Sequence, residues 1–172
     1  MDQPSHQLTM TVLMTPDMAN FAGNVHGGTI LKLLDQVAYA CASRHAAHYV
    51  VTLSVDQVIF RQPIHVGELV TFRQPIHVGE LVSFLASINH TGTSSMEVGI
   101  KVVAENIRTQ EVRHVNSCFF TMVAVDEQRK PAAVPALVLQ TDGQRRRDGA
   151  ARMRRELRDE VAQRMKKVRT PG

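Results

Sequence analysis

Residues 29–47 constrain this chain more than any other stretch. Ile30, Leu33, Leu34, Val37, Ala38 and Cys41 recur at helical spacing, and Leu31, Ala40 and Ala42 widen the apolar face. A helix this apolar is expected to be largely buried. Just before it, Gly23, Gly27 and Gly28 fall within six residues, which makes residues 23–28 a loop. Strand-like patterns follow: residues 48–60, 81–89, 96–106 and 112–125 are rich in Val, Thr and Ile, with turns expected at 92–95 and 108–110. Ahead of the loop, residues 8–14 read as a strand ended by Pro16, and 17–22 as a short helical turn. One buried helix followed by several long antiparallel strands is an α+β pattern. A length of 172 residues suits one domain with a core of normal size.

Charge and cysteine usage narrow the class. Residues 142–172 hold 11 Lys/Arg and 5 Asp/Glu, a net of +6, so the remainder, 9 minus 11, carries −2 of the formal +4. The positive charge therefore belongs to the C-terminal segment. That segment has high helix propensity and a thin apolar stripe of Ala151, Leu157, Val161 and Met165. Its basic residues are spread among acids, with no groove-reading motif or aromatic platform, so a solvated helix and no nucleic-acid partner are expected. Residues 1–136 are taken as the main domain and 137–172 as a basic helical extension. No apolar run approaches the roughly 18 residues needed for a membrane span. The first residues lack a basic start followed by an apolar stretch, so no secretory signal is expected. Cys41 and Cys118 lie in apolar patterns and read as buried free thiols, which fits a reducing compartment, the cytoplasm.

Residues 60–71, FRQPIHVGELVT, are repeated as 72–83, FRQPIHVGELVS, with eleven of twelve positions identical. Nothing else repeats, so this is a tandem duplication and not a solenoid. Each copy contains a strand end, a turn and a strand start. Adding one copy as an ordered hairpin arm would reverse everything downstream. Looping one copy out costs only about 0.6 kcal/mol per doubling of loop length. An insertion of even length also keeps the faces of the next strand in phase.

The chemistry concentrates in residues 24–35, NVHGGTILKLLD. The glycine pair Gly27-Gly28 opens the helix and exposes backbone N–H groups at the positive end of its dipole, with no side chain expected over them. Such amides suit a carbonyl oxygen that becomes an oxyanion. Asn24 offers a further donor just upstream. Asp35 lies among Leu33, Leu34 and Val37, where a carboxylate is costly unless used or paired. It could activate water or attack a carbonyl carbon. The plain alternatives are a tight turn at the glycines, a turn residue at His26 and a satisfied interface carboxylate at Asp35. His45 and His48 lie near the helix end and suit capping; His65 and His77 fall in the duplicated turns; Asp56 reads as structural. No His or Cys pair has convincing metal-ligand spacing, so no metal is expected. No Ser or Cys sits in a nucleophile elbow.

Asp35 is seven residues beyond Gly28, roughly 10 Å along a helix at ~1.5 Å per residue. One chain's amides and its own Asp35 therefore do not easily meet at one carbonyl carbon. A two-fold dimer with antiparallel helices would bring the Asp35 of one copy toward the Gly28 of the other.

The motif NVHGGTILKLLDQVAYACA resembles the signature of hotdog-fold acyl-CoA thioesterases of the bacterial YciA type and the related brain-type long-chain acyl-CoA hydrolases. Residues 51–70, 90–106 and 118–135 support the resemblance in order and spacing, which covers roughly residues 8–136 apart from the extra twelve. The resemblance implies a long helix wrapped by a curved antiparallel sheet. It implies dimers that share a continuous sheet and assemble to tetramers or hexamers. It makes Asp35 the catalytic carboxylate, Asn24 the polar residue that places thioester or water, and Gly27 and Gly28 the polarising amides. His26 beside those amides is read as a substrate contact, and Thr93, Ser94 and Ser95 as a turn near the nucleotide of coenzyme A. The activity implied is hydrolysis of fatty acyl-CoA, with no cofactor, since coenzyme A belongs to the substrate. The alternatives are another hotdog activity such as a dehydratase, and a non-catalytic acyl-CoA-binding regulator.

Overall fold

The protein is described from a computed structural model covering residues 4–56 and 76–169. The apolar helix, α1, runs Gly27–Ala46 and so begins two residues before the periodic apolar pattern, with both glycines inside its first turn. It ends at Ala47, whose left-handed φ of 54° lets its N–H donate to the Ser43 carbonyl at 2.9 Å. Its buried residues are Ile30, Leu34, Val37, Ala38, Cys41, Ala42 and Ala46, a single face at helical spacing. The expectation of a largely buried helix is corrected here. Leu31, Lys32, Asp35, Gln36 and Tyr39 are exposed, so among the described residues the broad apolar band leaves one side uncovered.

Among the described residues five strands form one antiparallel sheet: β1 Gln7–Leu13, β2 Tyr49–Asp56, β3 Glu80–Thr91, β4 Ser95–Asn106 and β5 Val112–Val125, in the spatial order β1-β3-β4-β5-β2. α1 touches all five. The two-residue strand period sends Phe84 and Ile88 of β3, Val98 and Ile100 of β4, and Phe120 and Met122 of β5 into the core beneath it. Cys41 and Cys118 are free and buried, as the sequence suggested. Burial pushes both thiols up to about 12, which leaves them largely unionised near neutral pH.

The first copy of the duplicated stretch lies outside the described residues, as does the expectation that one copy is looped out. The second copy, from Ile76 onward, turns at Gly79, where φ is +87°, and starts β3. Arg113 of β5 binds both oxygens of Glu80, with Nη2 at 2.7 Å from Oε2, and the His77 N–H donates to the same Oε2 at 2.8 Å. Burial raises the Glu80 pKa, but the Arg113 hydrogen bonds outweigh it and hold the carboxyl below its ordinary range.

A second helix, α2, spans Asp142–Arg169. It was expected to be solvated, yet its first turns dock on the sheet face opposite α1, burying Gln144, Asp148 and Ala151. Its apolar Leu157, Val161 and Met165 remain exposed. An ionic cluster holds it down. Arg154 donates from Nη2 to Glu97 Oε1 at 2.6 Å and from Nε to Oε2 at 3.0 Å, and its guanidinium lies 3.6 Å from the Phe119 ring centroid. Asn89 donates to the same Glu97 at 3.0 Å, in space that exists because Gly99 has no side chain. Nearby, Asp148 accepts from Arg152 and pairs with His90. Among the described residues no helix is long and apolar enough to cross a membrane.

Glu97 and Arg154 are both mostly buried, at 5% and 20% side-chain exposure, whereas the Arg145–Asp142 pair is open to water at 55% and 97%. Arg154→Ala should strand the Glu97 carboxylate and lower unfolding free energy by about 3–5 kcal/mol. Arg145→Ala should cost less than about 1 kcal/mol. Urea unfolding of the two variants measures the contrast, and equal midpoints would show that Glu97 does not depend on Arg154.

Candidate active site

Residues 19–25 form a small hairpin beside the N-terminus of α1. Ala19 bridges Val25, and the Asn20 N–H donates to the Asn24 carbonyl at 2.6 Å. The Asn20 side chain accepts from the Ala22 and Asn24 N–H groups at 2.9 and 3.1 Å, and Gly23 closes the turn with φ +77°. Asn24 bridges His77, and the Val25 N–H donates to the Ile76 carbonyl at 2.8 Å. The second copy of the duplicated turn therefore anchors the loop that carries the candidate oxyanion donors.

The amides at the helix start are not both open. His26 is the N-cap, and its Nδ1 accepts from the Gly28 N–H at 3.0 Å. A Cβ on Gly28 would lie 3.1 Å from that nitrogen, so glycine leaves room for the ring. This corrects the expectation of two uncovered donors. The Gly27 N–H has no hydrogen-bond partner among the described residues. The His26 ring is exposed, so a rotation of that side chain would free the Gly28 N–H.

Asp35 lies on the uncovered side of α1, not in the apolar interior that its neighbours suggested. The Thr52 hydroxyl of β2 donates to Asp35 Oδ1 at 2.7 Å. That bond fixes one carboxylate oxygen. The surroundings are apolar: Leu31 and Tyr39 flank Asp35 on the same helix face, Tyr39 meets Tyr49 edge-on at 5.9 Å, and β2 exposes Val51, Leu53 and Val55. Among the described residues β2 is an edge strand, paired with β5 alone. An apolar, uncovered sheet edge normally calls for a partner.

Thr93, Ser94 and Ser95 lie at the β3–β4 turn, tied down by three backbone bonds: Gly92 N–H to Ser95, Ala124 N–H to Ser94 and Val134 N–H to Thr93. Ser95 pairs with Val123, which pairs with Val51, so the turn shares the end of the sheet with Thr52 but lies two strands away. The chain brings Asn24, His26, Gly27 and Gly28 together at the helix start and sets Asp35 about 10 Å further along at ~1.5 Å per residue. Two residues escaped sequence reasoning. Thr52 follows Val50 on the inward side of β2, and only the strand alternation hints that it faces α1. Asn20 carries no signal beyond its place in a Gly-containing turn. His45 meets the Pro135 carbonyl at 3.1 Å and does not cap the helix, whose end is closed by the backbone at Ala47.

A sequence profile of the Thioesterase superfamily matches residues 22–73 and 69–111, two segments that meet inside the duplicated stretch. Protein VdlD of Helicobacter pylori is 48% identical over 88% of this chain and 80% of its own length. An acyl-CoA hydrolase from Bacillus cereus superposes with TM-score 0.82 at 30% identity, over 95% of this chain and 93% of that one. A hexameric acyl-CoA thioesterase superposes at 0.78 with 33% identity, over 91% and 92%. An acyl-CoA hydrolase from Staphylococcus aureus, solved with butyryl coenzyme A and coenzyme A, superposes at 0.79 with 26% identity, over 94% and 92%. It has also been solved with alanine replacing an Asp, an Asn fifteen positions before it and a Thr seventeen positions after it.

His26→Ala removes the side-chain cap of α1. Loss of a cap of this kind should lower stability by about 1 kcal/mol. Thermal unfolding checks it, and an unchanged midpoint would mean that the ring contributes nothing to holding the helix start.

Proposed function

This chain belongs to the thioesterase superfamily, and from that premise we propose that it hydrolyses acyl-CoA to a free carboxylic acid and coenzyme A, using Asp35. The reading rests on relatives of matching length that are acyl-CoA hydrolases. Its carrying observation is a carboxylate oriented by Thr52 at 2.7 Å, beside the uncovered apolar edge of β2. In the reaction, water attacks the thioester carbonyl carbon as Asp35 takes its proton. The oxygen gains negative charge against the Gly27 N–H, joined by that of Gly28 when His26 swings aside. The C–S bond then breaks and the proton passes to the departing thiolate. Direct attack by Asp35, with water opening the resulting anhydride, uses the same groups. Coenzyme A enters only as part of the substrate, and no metal or redox cofactor takes part.

The working unit is a homo-oligomer. Pairing β2 with its counterpart would cover the exposed edge, extend the sheet across two chains and bury Asp35 next to the partner's helix. A dimer formed this way assembles further to a tetramer or hexamer, in line with the hexameric relative. The chain is placed in the cytoplasm, where two buried free thiols remain reduced.

Asn20 stands fifteen positions before Asp35 and Thr52 seventeen after it, the spacing of the residues replaced in the Staphylococcus aureus enzyme. Asn24 is the other candidate donor on the same loop. Asn20 accepts through Oδ1, which leaves its amide NH₂ to meet thioester or water.

Asp35→Asn should lower CoA release from acyl-CoA by orders of magnitude with the fold intact; near wild-type turnover would remove Asp35 from the mechanism. Of Asn20→Ala and Asn24→Ala, the one that deletes an oxyanion or water donor should cost about 10²–10³ in kcat. The same loss in neither variant would show that no loop amide takes part. Mixing an inactive loop variant with Asp35→Asn chains tests the shared site. Mixed dimers have one intact site, so activity should return to about a quarter of wild type. No recovery, with subunit exchange proven by mass, would place each site within one chain.

A further inference from the structure

We propose that the second half of α2 is an arm that packs antiparallel against the same helix of a second copy of this chain, on the sheet face opposite α1. The arrangement rests on the dimer above, in which β2 pairs with its counterpart; the arm itself rests on the course of α2, its apolar stripe and its charge. The contacts of α2, taken in order, give its course. Gln144 meets His6, just ahead of β1, at 3.2 Å, and Asp148 meets His90 of β3 at 2.7 Å. Arg154 holds Glu97 of β4 and lies over Phe119 of β5, and Arg158 lines a pocket with Thr121 of β5. The helix therefore crosses the strands in their spatial order and heads for β2.

Its length takes it further. From Asp148 to Arg158 the helix covers two strand spacings, roughly 10 Å, in ~15 Å of axis. At that slope the residues from Arg158 to Arg169 advance about 11 Å more, past β2 at ~5 Å and over the sheet of a copy paired there. From Asp159 to Lys166 every residue is exposed, so among the described residues nothing covers this half of the helix. The ionic cluster under the first half thus has a consequence beyond stability: with Arg154 locked onto Glu97 and Phe119, the free half is held at a set angle beyond the edge.

The surface of the arm selects its occupant. Met153, Leu157, Val161 and Met165 stand four residues apart, and each is more than half exposed. That spacing makes one ridge inclined across the helix, and two such ridges interdigitate when helices cross at about 50°. Charge is divided along the same stretch. Residues 156–160 hold three acids and one arginine, a net of −2, whereas residues 164–169 hold Arg164, Lys166, Lys167 and Arg169, a net of +4. A two-fold axis at the β2 seam turns one arm end for end against the other, which sets the acidic part of each beside the basic part of its partner. Antiparallel helix dipoles add to the match. A lipid surface suits the arm less, because the ridge carries no aromatic residue and three acids flank it.

Leu157→Cys, Val161→Cys and Met165→Cys, each in the full chain, test the arm, since Cys41 and Cys118 are buried. A short bismaleimide should link at least one of them into covalent dimers. Leu53→Cys, on the exposed part of β2, reports the sheet pairing separately. Val161→Arg puts a charge in the ridge without touching the core. Sedimentation should show its dimer dissociation constant raised about tenfold to a hundredfold. CoA release per chain should fall on dilution and return at high concentration. Linking at Leu53 with none on α2, or wild-type assembly of Val161→Arg, overturns the arm. Linking on α2 with none at Leu53 supports the paired arms and sinks the shared sheet. A larger assembly that Val161→Arg reduces to intact dimers would place α2 between dimers and overturn the arrangement. Wild-type binding to vesicles of phosphatidylserine and phosphatidylcholine, lost in Val161→Arg while assembly is unchanged, would give the ridge to a lipid surface and overturn the arm. Arms that link in a protein releasing no CoA from acyl-CoA would sink the hydrolase reading and leave the arm standing.

Discussion

One helix laid across five strands is the constraint from which the rest of this protein follows. α1 buries seven residues against the sheet, and every strand of the sheet reaches it. Fully burying a side chain of the size of Leu34 or Ile30 contributes roughly 1.5–3 kcal/mol. The orientation of the helix is therefore fixed by its inward face. That choice in turn fixes the outward face, which carries Asp35 toward Thr52 and the free edge of β2. Packing on one side thus decides where the Asp35 carboxylate stands on the other.

The same packing leaves one face of the chain suited to a second copy. An apolar edge strand beside an apolar helix flank, with a charged carboxylate between them, is a poor surface for water and a good one for a second copy. Within one chain the carboxylate is exposed and cannot have the low-dielectric surroundings that strengthen its electrostatic role. In the proposed dimer, association would supply both the covering and, through antiparallel helices, the second half of the reacting groups.

The α+β architecture and the main elements could be read from the sequence because periodicity reports which side of an element is buried. Ile30, Leu34, Val37 and Cys41 give α1, and alternation gives β3, β4 and β5. The candidate site was legible in part, since glycines at a helix start and a carboxylate on an apolar helix are local signals. Periodicity cannot report whether a polar residue within a broad apolar band faces core or surface: Leu33, Leu34 and Val37 suggest an interior for Asp35, which faces out. Nor can it report contacts between distant segments: the Thr52 hydroxyl on Asp35, the His26 ring on Gly28, or Arg154 on Glu97 across 57 positions. The charged composition of α2 suggested a solvated helix because charges are usually solvated. Here Arg154 and Asp148 are paired against the sheet.

That last pairing bears on how the chain comes into being. Residues 80–125 complete three adjacent strands, and they emerge from the ribosome well before Arg154 does. Until α2 follows, the nascent sheet holds Glu97 without its cation, on a face that nothing yet shields. Synthesis proceeds at roughly 5–20 residues per second, so this interval lasts seconds. During it the half-made sheet carries an unmatched charge on one face, and the middle of α2, where Arg154 stands, acts as a latch that ends the exposure.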